Sequence, residues 1–133
     1  MARYLLDTNT CIAVMRNHPT AVQRMAVVPP GECAISTITA YELYTGVEKC
    51  TKPAQERAKV DLLLRTVHEI AFESTAAKEA ARIRALLESQ GQPIGPYDLL
   101  LAGQALAGSL ILVTANTGEF SRVPGLTSED WQT

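Results

Sequence analysis

Short apolar runs alternate along this chain with longer segments in which apolar residues recur at helical spacing. Runs with the length and composition of buried strands cover residues 3–6, 33–36, 67–72 and 110–114. Apolar positions spaced as in helices cover residues 11–15, 39–47, 60–67, 75–90 and 99–107. This alternation predicts an α/β fold in which helices cover both faces of a short, mostly parallel sheet.

Prolines and glycines mark the connections between these segments. Residues 27–32 contain two consecutive prolines and a glycine, which suit neither a helix interior nor a central strand. Pro93 and Pro96 bracket a tight connection before the last long helix. With 133 residues, of which 47% are hydrophobic, the chain can build one ordinary core, so residues 1–133 are expected to form a single domain.

Four acidic residues follow the apolar runs, namely Asp7, Glu42, Asp98 and Glu119. Because the loops that follow parallel strands emerge at one edge of the sheet, these acids are expected to meet there. Oxygen ligands without a histidine or cysteine partner suit Mg²⁺ or Mn²⁺ rather than zinc. The expected direct ligands are Asp7, Asp98 and Glu42, whereas Glu119 lies several residues beyond its strand and is expected to act through water. The implied reaction is attack of a metal-activated water on a phosphodiester.

Each acid also has a structural interpretation. Asp7 is placed to cap the first predicted helix, and Asp98 lies in a first helical turn, where a negative charge interacts favourably with the helix dipole. Thr39 and Glu42 have the spacing of a capping box, in which the glutamate reaches back to the threonine amide, and Asn116 and Glu119 have a related cap-like spacing. Both interpretations stay open, since a cap at this edge of the sheet is also a candidate ligand.

Polar neighbours extend the candidate site. Thr8 and Asn9 follow the first acid, and Thr114 and Asn116 follow the last strand, where they can orient water, carboxylates or phosphate. Ordinary turn and cap roles are the alternative for all four. Arg122 follows the last acid closely and is a candidate for binding phosphate, with a surface salt bridge as its alternative.

Composition limits how such a nuclease binds RNA. The formal net charge of -2 gives no global attraction for a polyanion, so attraction must come from local basic groups or from bound metal. The aromatic share of 5% offers few platforms for base stacking. Recognition of RNA shape, rather than of bases, is therefore expected.

Cysteine usage and hydropathy indicate the compartment. Cys11, Cys33 and Cys50 show neither CxxC nor paired spacing, so they are expected to act as small buried hydrophobes. No basic leader precedes a long apolar run, and no segment approaches about 18 consecutive apolar residues. A soluble protein of the reducing cytoplasm, with no membrane partner, is expected.

Four short segments carry a resemblance to a known family. In chain order they are Leu5-Leu6-Asp7-Thr8-Asn9, Tyr41-Glu42-Leu43 with Gly46 downstream, Ile94-Gly95-Pro96-Tyr97-Asp98, and Leu112-Val113-Thr114-Ala115-Asn116-Thr117-Gly118-Glu119-Phe120. They resemble the PIN-domain ribonucleases, and in particular the VapC toxins of type II toxin-antitoxin modules. The likeness runs on to residues 129–131, so it spans nearly the whole chain.

This resemblance implies a three-layer α/β/α PIN-like fold and an Mg²⁺- or Mn²⁺-dependent endoribonuclease. The implied substrate is structured RNA, above all tRNA, with initiator tRNA among the candidates, cut near the anticodon to halt translation. The implied partners are a second copy of the chain and a VapB-type antitoxin, and operator DNA would be bound only through the antitoxin complex.

By the same resemblance, the family's acids fall on Asp7, Glu42, Asp98 and Glu119. The last acid is often aspartate in this family, and the longer glutamate here leaves its direct contact with metal an open question. A PIN-like module that binds RNA or protein without cutting it is the alternative function. A phosphoaspartyl enzyme of the haloacid dehalogenase type is disfavoured, because it needs a second acid at position 9, where this chain has Asn9.

Overall fold

A five-stranded sheet forms the centre of the protein, and the computed structural model describes residues 1–133. The strands are β1 (Tyr4–Leu6), β2 (Cys33–Ser36), β3 (His68–Ile70), β4 (Ile111–Val113) and β5 (Ser128–Glu129). The helices are α1 (Thr8–Met15), α2 (Pro19–Ala26), α3 (Thr37–Lys49), α4 (Pro53–Thr66), α5 (Ser74–Ser89), α6 (Pro96–Ala107) and α7 (Thr117–Phe120). A short 3-10 turn, Pro30–Glu32, precedes β2.

The strands lie in the order β3-β2-β1-β4-β5, and every neighbouring pair is parallel. The expected mostly parallel sheet is therefore parallel throughout. The central strand β1 pairs with β2 on one side, with Leu5 opposite Ala34, and with β4 on the other, with Leu5 opposite Leu112. All five strands consequently end at one edge of the sheet, which is where the candidate acids were expected.

Successive residues of β1 point to opposite faces of the sheet and enter two different cores. Leu5 and Leu112 pack with residues of α5, α6 and α7, among them Ile83, Leu87, Leu101, Ala102 and Phe120. Leu6 and Val113 pack with residues of α1, α3 and α4, among them Cys11, Leu43, Val47, Val60 and Leu63. This arrangement confirms the predicted three-layer α/β/α fold.

Three elements were not predicted. Helix α2 begins with Pro19 at its first position and buries Ala21 as its only fully buried residue, so its apolar pattern is weak. Helix α7 has only four residues, of which Phe120 is buried. Strand β5 has only two residues, both polar, yet the Thr114 amide donates to the Glu129 carbonyl at 2.8 Å. None of these elements carries a hydrophobic period long enough to detect, because pairing or packing with the rest of the fold defines each element.

The starts of α3 and α5 differ from the sequence pattern. Ser36 caps α3, since its hydroxyl accepts from the Ile38 amide at 3.0 Å, and Thr39 therefore lies inside the helix. Helix α5 begins after Glu73 without a side-chain cap. In both cases the helix begins before the first residue of the apolar pattern that defined it.

The cysteines and the helix lengths add two facts. All three thiols are free, with Cys11 and Cys33 buried and Cys50 half-buried. None of the helices is both long enough and apolar enough to cross a bilayer.

Helices α5 and α6 approach each other closely at one glycine. A Cβ atom added to Gly103 would lie 2.6 Å from the Ala80 backbone nitrogen and 2.7 Å from its Cα. Backbone atoms cannot move aside as a flexible side chain does. The small residues at these two positions therefore set the spacing of the layer that carries Asp98 at the start of α6.

We predict that Gly103→Ala destabilises the fold by about 1–3 kcal/mol, since it overpacks this contact. The matched control is Gly46→Ala in α3, where an added Cβ meets nothing within 4 Å. This control is expected to be neutral or stabilising by about 0.5–1 kcal/mol, because alanine is the better helix former. Urea unfolding of both variants checks the prediction, and equal midpoints for the two would contradict it.

Candidate active site

Asp7 lies at the carboxyl end of the central strand. Its amide donates to the Val113 carbonyl at 3.0 Å, which continues the pairing of β1 with β4 by one residue. Its side chain is only 5% exposed, and Oδ1 accepts from the Thr10 amide at 2.8 Å, so Asp7 caps α1. The predicted cap is thus confirmed, and it leaves Oδ2 available for another partner.

Glu42 lies in α3, six residues beyond the end of β2. The Thr8 hydroxyl donates to Glu42 Oε1 at 2.7 Å and also lies 3.4 Å from the Thr39 hydroxyl. The predicted capping box, with Glu42 on the Thr39 amide, is therefore wrong. Instead, the first residue of α1 fixes the carboxylate of α3, which brings Glu42 to the same edge as Asp7.

Asp98 lies in the first turn of α6 and shows that the acids are close together. Partial burial, which disfavours the charged form, raises the pKa of Asp98 from 3.8 to about 6. Neighbouring negative charges add to this rise, with Glu119 contributing most and Asp7 and Glu42 contributing less. The other three predicted acids are thus all near enough to act on the Asp98 carboxyl group.

Glu119 lies in α7, and Asn116 fixes its orientation. The Asn116 amide group donates to Glu119 Oε2 at 2.9 Å. Asn116 is the residue before the helix but makes no side-chain capping bond. Among the neighbouring negative charges, Glu119 raises the pKa of the Asp98 carboxyl most. The last acid is therefore a direct neighbour of Asp98, although it was placed beyond its strand in the sequence.

The donor set fits a hard divalent cation. Asp7, Glu42 and Glu119 each use one carboxylate oxygen in a hydrogen bond and keep the other for a ligand. Only oxygen donors are present, as Mg²⁺ and Mn²⁺ prefer. The structure contains no group of three or more His, Cys, Asp or Glu side chains arranged as a ready ligand shell. The carboxylates are therefore neighbours, but they do not form a complete ligand shell.

The supporting polar residues differ in their exposure and in their hydrogen bonds. Asn9 is exposed in the first turn of α1, whereas Thr114 is buried and its hydroxyl accepts from the Asn116 amide at 2.9 Å. Arg122 is exposed and donates to the Pro93 carbonyl at 3.1 Å, in the connection before α6. Thr114 thus has the turn role that was its alternative, and phosphate binding by Arg122 stays a prediction.

Two features of this edge were not predicted from the sequence. Thr10 links α1 to β4 and to Asp7, because its hydroxyl donates to the Val113 carbonyl at 3.1 Å and its amide donates to Asp7 Oδ1. Tyr41 and Tyr97 are exposed at its rim, each one residue before a candidate acid. Their adjacency to Glu42 and Asp98 is the sequence signal that could have drawn attention to them.

Residues 4–126 match the PIN domain. The chain belongs to the PIN-domain family. Within this family it is 39% identical over 131 residues to the tRNA(fMet)-specific endonuclease VapC of Shigella flexneri, which covers 98% of this chain and 99% of the relative. The enzyme of the same name from Salmonella typhimurium is 37% identical with the same coverage. The predicted resemblance to VapC proteins is confirmed.

Solved structures support the assignment of this chain to the PIN-domain family. The DNA-bound VapBC of Salmonella typhimurium matches with a TM-score of 0.93 and 37% identity, covering 98% of this chain and 99% of that one. The VapBC2 of Rickettsia felis, bound to a DNA fragment from its promoter, matches with a TM-score of 0.90 and 35% identity, covering 96% and 98%. The backbone that presents the four acids is therefore that of the VapC group.

We predict that Asp98→Asn raises the melting temperature at neutral pH. The folded state binds the Asp98 proton more tightly than the unfolded chain, so this residue lowers stability as pH rises from about 3.8 to about 6. Asparagine removes that penalty and can donate to Glu119. The gain should be largest above about pH 6 and vanish below about pH 4, as measured by thermal unfolding at several pH values without divalent ions.

The control for this experiment is Glu79→Gln, which removes an exposed carboxylate that Arg82 pairs at 2.8 Å. Its melting temperature is expected to stay the same or fall slightly, because exposed ion pairs contribute little. A lower melting temperature for Asp98→Asn at every pH would contradict the prediction and would favour a structural role for this carboxylate.

Proposed function

We propose that this PIN domain is an Mg²⁺- or Mn²⁺-dependent endoribonuclease toxin that cuts structured RNA, with initiator tRNA, near the anticodon, as its foremost substrate. The gathering of Asp7, Glu42 and Glu119 around Asp98 at the carboxyl edge of the sheet carries this proposal. Relatives at 39% and 37% identity that are named tRNA(fMet)-specific endonucleases support the nuclease activity and the substrate.

In this proposal Asp7, Glu42 and Asp98 bind the divalent ion through their available oxygens, and Glu119 completes the set directly or through water. The bound ion supplies Lewis-acid activation of water and offsets charge on the phosphodiester. Thr8 orients Glu42, and Asn116 orients Glu119. Arg122 contacts an RNA phosphate beyond the site.

Electrostatics favour a nuclease over a binding module. Four neighbouring carboxylates repel one another and repel an RNA backbone, so a protein that only binds RNA would gain nothing from concentrating them. A divalent ion reverses both effects, since it offsets the repulsion and attracts phosphate. Clustering of four carboxylates at an RNA-binding site is therefore favourable when the carboxylates bind a divalent ion.

The same proposal includes two protein partners. Solved relatives are VapBC complexes, two of which are bound to DNA. By analogy, a VapB-type antitoxin neutralises this toxin and carries the complex to operator DNA, and the toxin itself forms a homodimer. Size-exclusion chromatography with light scattering, with and without a coexpressed antitoxin, tests both associations.

The test of activity is incubation of the purified, antitoxin-free protein with initiator tRNA and with an elongator tRNA, in Mg²⁺ or Mn²⁺. We expect discrete fragments of initiator tRNA in metal, and none with EDTA. Asp98→Asn and Asp7→Asn are expected to give no detectable fragments, since each removes a metal-binding charge at nearly constant shape. Asp7→Asn keeps an oxygen that can accept from Thr10, so its fold should persist.

Glu119→Gln is expected to have a smaller effect, because the longer side chain need not contact the ion directly. Discrete fragments that need both metal and Asp98 would establish a specific endoribonuclease. Intact RNA in every lane, together with tight RNA binding, would instead favour a binding module.

Thr8→Val tests how the site holds Glu42. The change removes the hydroxyl that donates to Glu42 Oε1 and keeps the shape of the side chain. We expect Mn²⁺ affinity to fall by about 10- to 100-fold, as is typical when an outer hydrogen bond to a metal ligand is lost. Calorimetric titration measures this, and Thr8→Ser, which keeps the hydroxyl, should bind like the wild type. An Mn²⁺ affinity of Thr8→Val equal to that of the wild type would show that Thr8 does not support metal binding.

A further inference from the structure

Two tyrosines are the only aromatic residues that the fold leaves exposed. The chain has one tryptophan, four tyrosines and two phenylalanines. Tyr41 is 56% exposed and Tyr97 is 41% exposed. The others are at least half-buried: Tyr4 packs on Trp131, Tyr44 donates to Asp61, Phe120 lies in the core, and Phe72 is half-buried. A protein with few aromatic side chains thus exposes two of them, and both at one place.

That place is the rim of the acid cluster. Tyr41 directly precedes Glu42 in α3, and Tyr97 directly precedes Asp98 in α6, so the two rings come from opposite helical layers and meet across the site. Their ring centroids are 6.0 Å apart. Glu42 is also close enough to act on the Tyr97 hydroxyl electrostatically.

The pair is held in place without being stacked on itself. The Tyr97 hydroxyl donates to the Tyr41 hydroxyl at 3.4 Å, and the ring planes are inclined by 51°. Because the rings are tilted, their faces stay open to a planar partner. The contact between the hydroxyls limits the rotation of the rings, so a partner that stacks on them has less motion to restrict.

We propose that Tyr41 and Tyr97 form a stacking step for an unpaired nucleobase next to the scissile phosphate. This inference rests on the proposed nuclease function and deepens it by naming two residues that bind the RNA beside the cut. The RNA is cut in a loop or other unpaired segment, where a base can leave the stack and lie on a tyrosine ring. The sequence had suggested recognition of shape alone, because the aromatic share is small.

Electrostatics favour a base over a phosphate at this position. The carboxylates behind the tyrosines repel the RNA backbone wherever no cation intervenes. A base face is neutral, and stacking buries apolar area of both rings at no cost in charge. A duplex would keep its bases stacked on each other, so this step adds affinity only for unpaired nucleotides.

A double-mutant cycle between protein and RNA tests the inference. The cleavage site of the wild type is first mapped, and the RNA is then made with an abasic nucleotide on either side of the cut. We expect Tyr41→Ala and Tyr97→Ala to lower kcat/KM on the complete RNA by about 5- to 150-fold. Removing the stacked base should cost the wild type a similar factor and cost the alanine variant little more.

Binding of the same RNAs to the cleavage-deficient Asp98→Asn protein, with and without each tyrosine change, gives a second readout that does not depend on turnover. Tyr41→Phe and Tyr97→Phe keep the ring and should retain most of the activity. Leu62→Ala removes an apolar side chain that is 60% exposed, beside Cys33 at the amino end of β2 and so at the opposite edge of the sheet. It is expected to cleave like the wild type.

Independent, multiplicative penalties for the tyrosine change and the abasic change would overturn the stacking step. The same holds if the alanine variants lose only dimerisation or antitoxin binding, which would make the pair part of a protein interface. In either case the wild type still cleaves RNA, so the proposed function stands. A wild type that neither cuts nor binds RNA in Mg²⁺ or Mn²⁺ overturns the proposed function, and the inference with it.

Discussion

The parallel pairing of β1 with strands on both sides is the constraint on which this protein depends. β1 is only three residues long, yet it aligns β2 and β4 and sends Leu5 and Leu6 into two separate cores. Because the neighbours are parallel, every segment that follows a strand begins at the same edge. The backbone bond from Asp7 to Val113 extends this pairing into the site itself. The edge of the sheet that carries the candidate acids thus follows directly from the parallel pairing of the strands.

Function at this edge conflicts with stability. Carboxylates brought together and partly buried raise one another's free energy, as the raised pKa of Asp98 shows. The fold offsets part of this cost locally, since Thr8, Thr10 and Asn116 each donate a hydrogen bond to one of the acids. The remaining repulsion is what a cation removes. Perturbed carboxyl pKa values of this kind cluster at functional sites, which supports the proposed cation site.

Most of the fold and the four acids could be predicted from the sequence, because both follow from periodic patterns and from where strands end. The apolar run around Leu112 and the stop at Asp7 are local signals. Helix α2 and strand β5 could not be predicted, since their own residues carry too little apolar character and only long-range packing or pairing defines them. The partner of Glu42 was also missed. A bond between Thr8 and a residue 34 positions away depends on how two helices cross, which no short spacing encodes.

The four acids come from both helical layers. Asp7 caps α1 and Glu42 lies in α3 on one face of the sheet, whereas Asp98 and Glu119 lie in α6 and α7 on the other. An ion shared by these acids would therefore cross-link two layers that already meet through the sheet and at the contact between Tyr41 and Tyr97. Its affinity and the relative position of the layers become one coupled equilibrium. A partner that binds the outer helices far from the acids, and shifts one layer against the other, would then change how tightly the ion is held without touching the site.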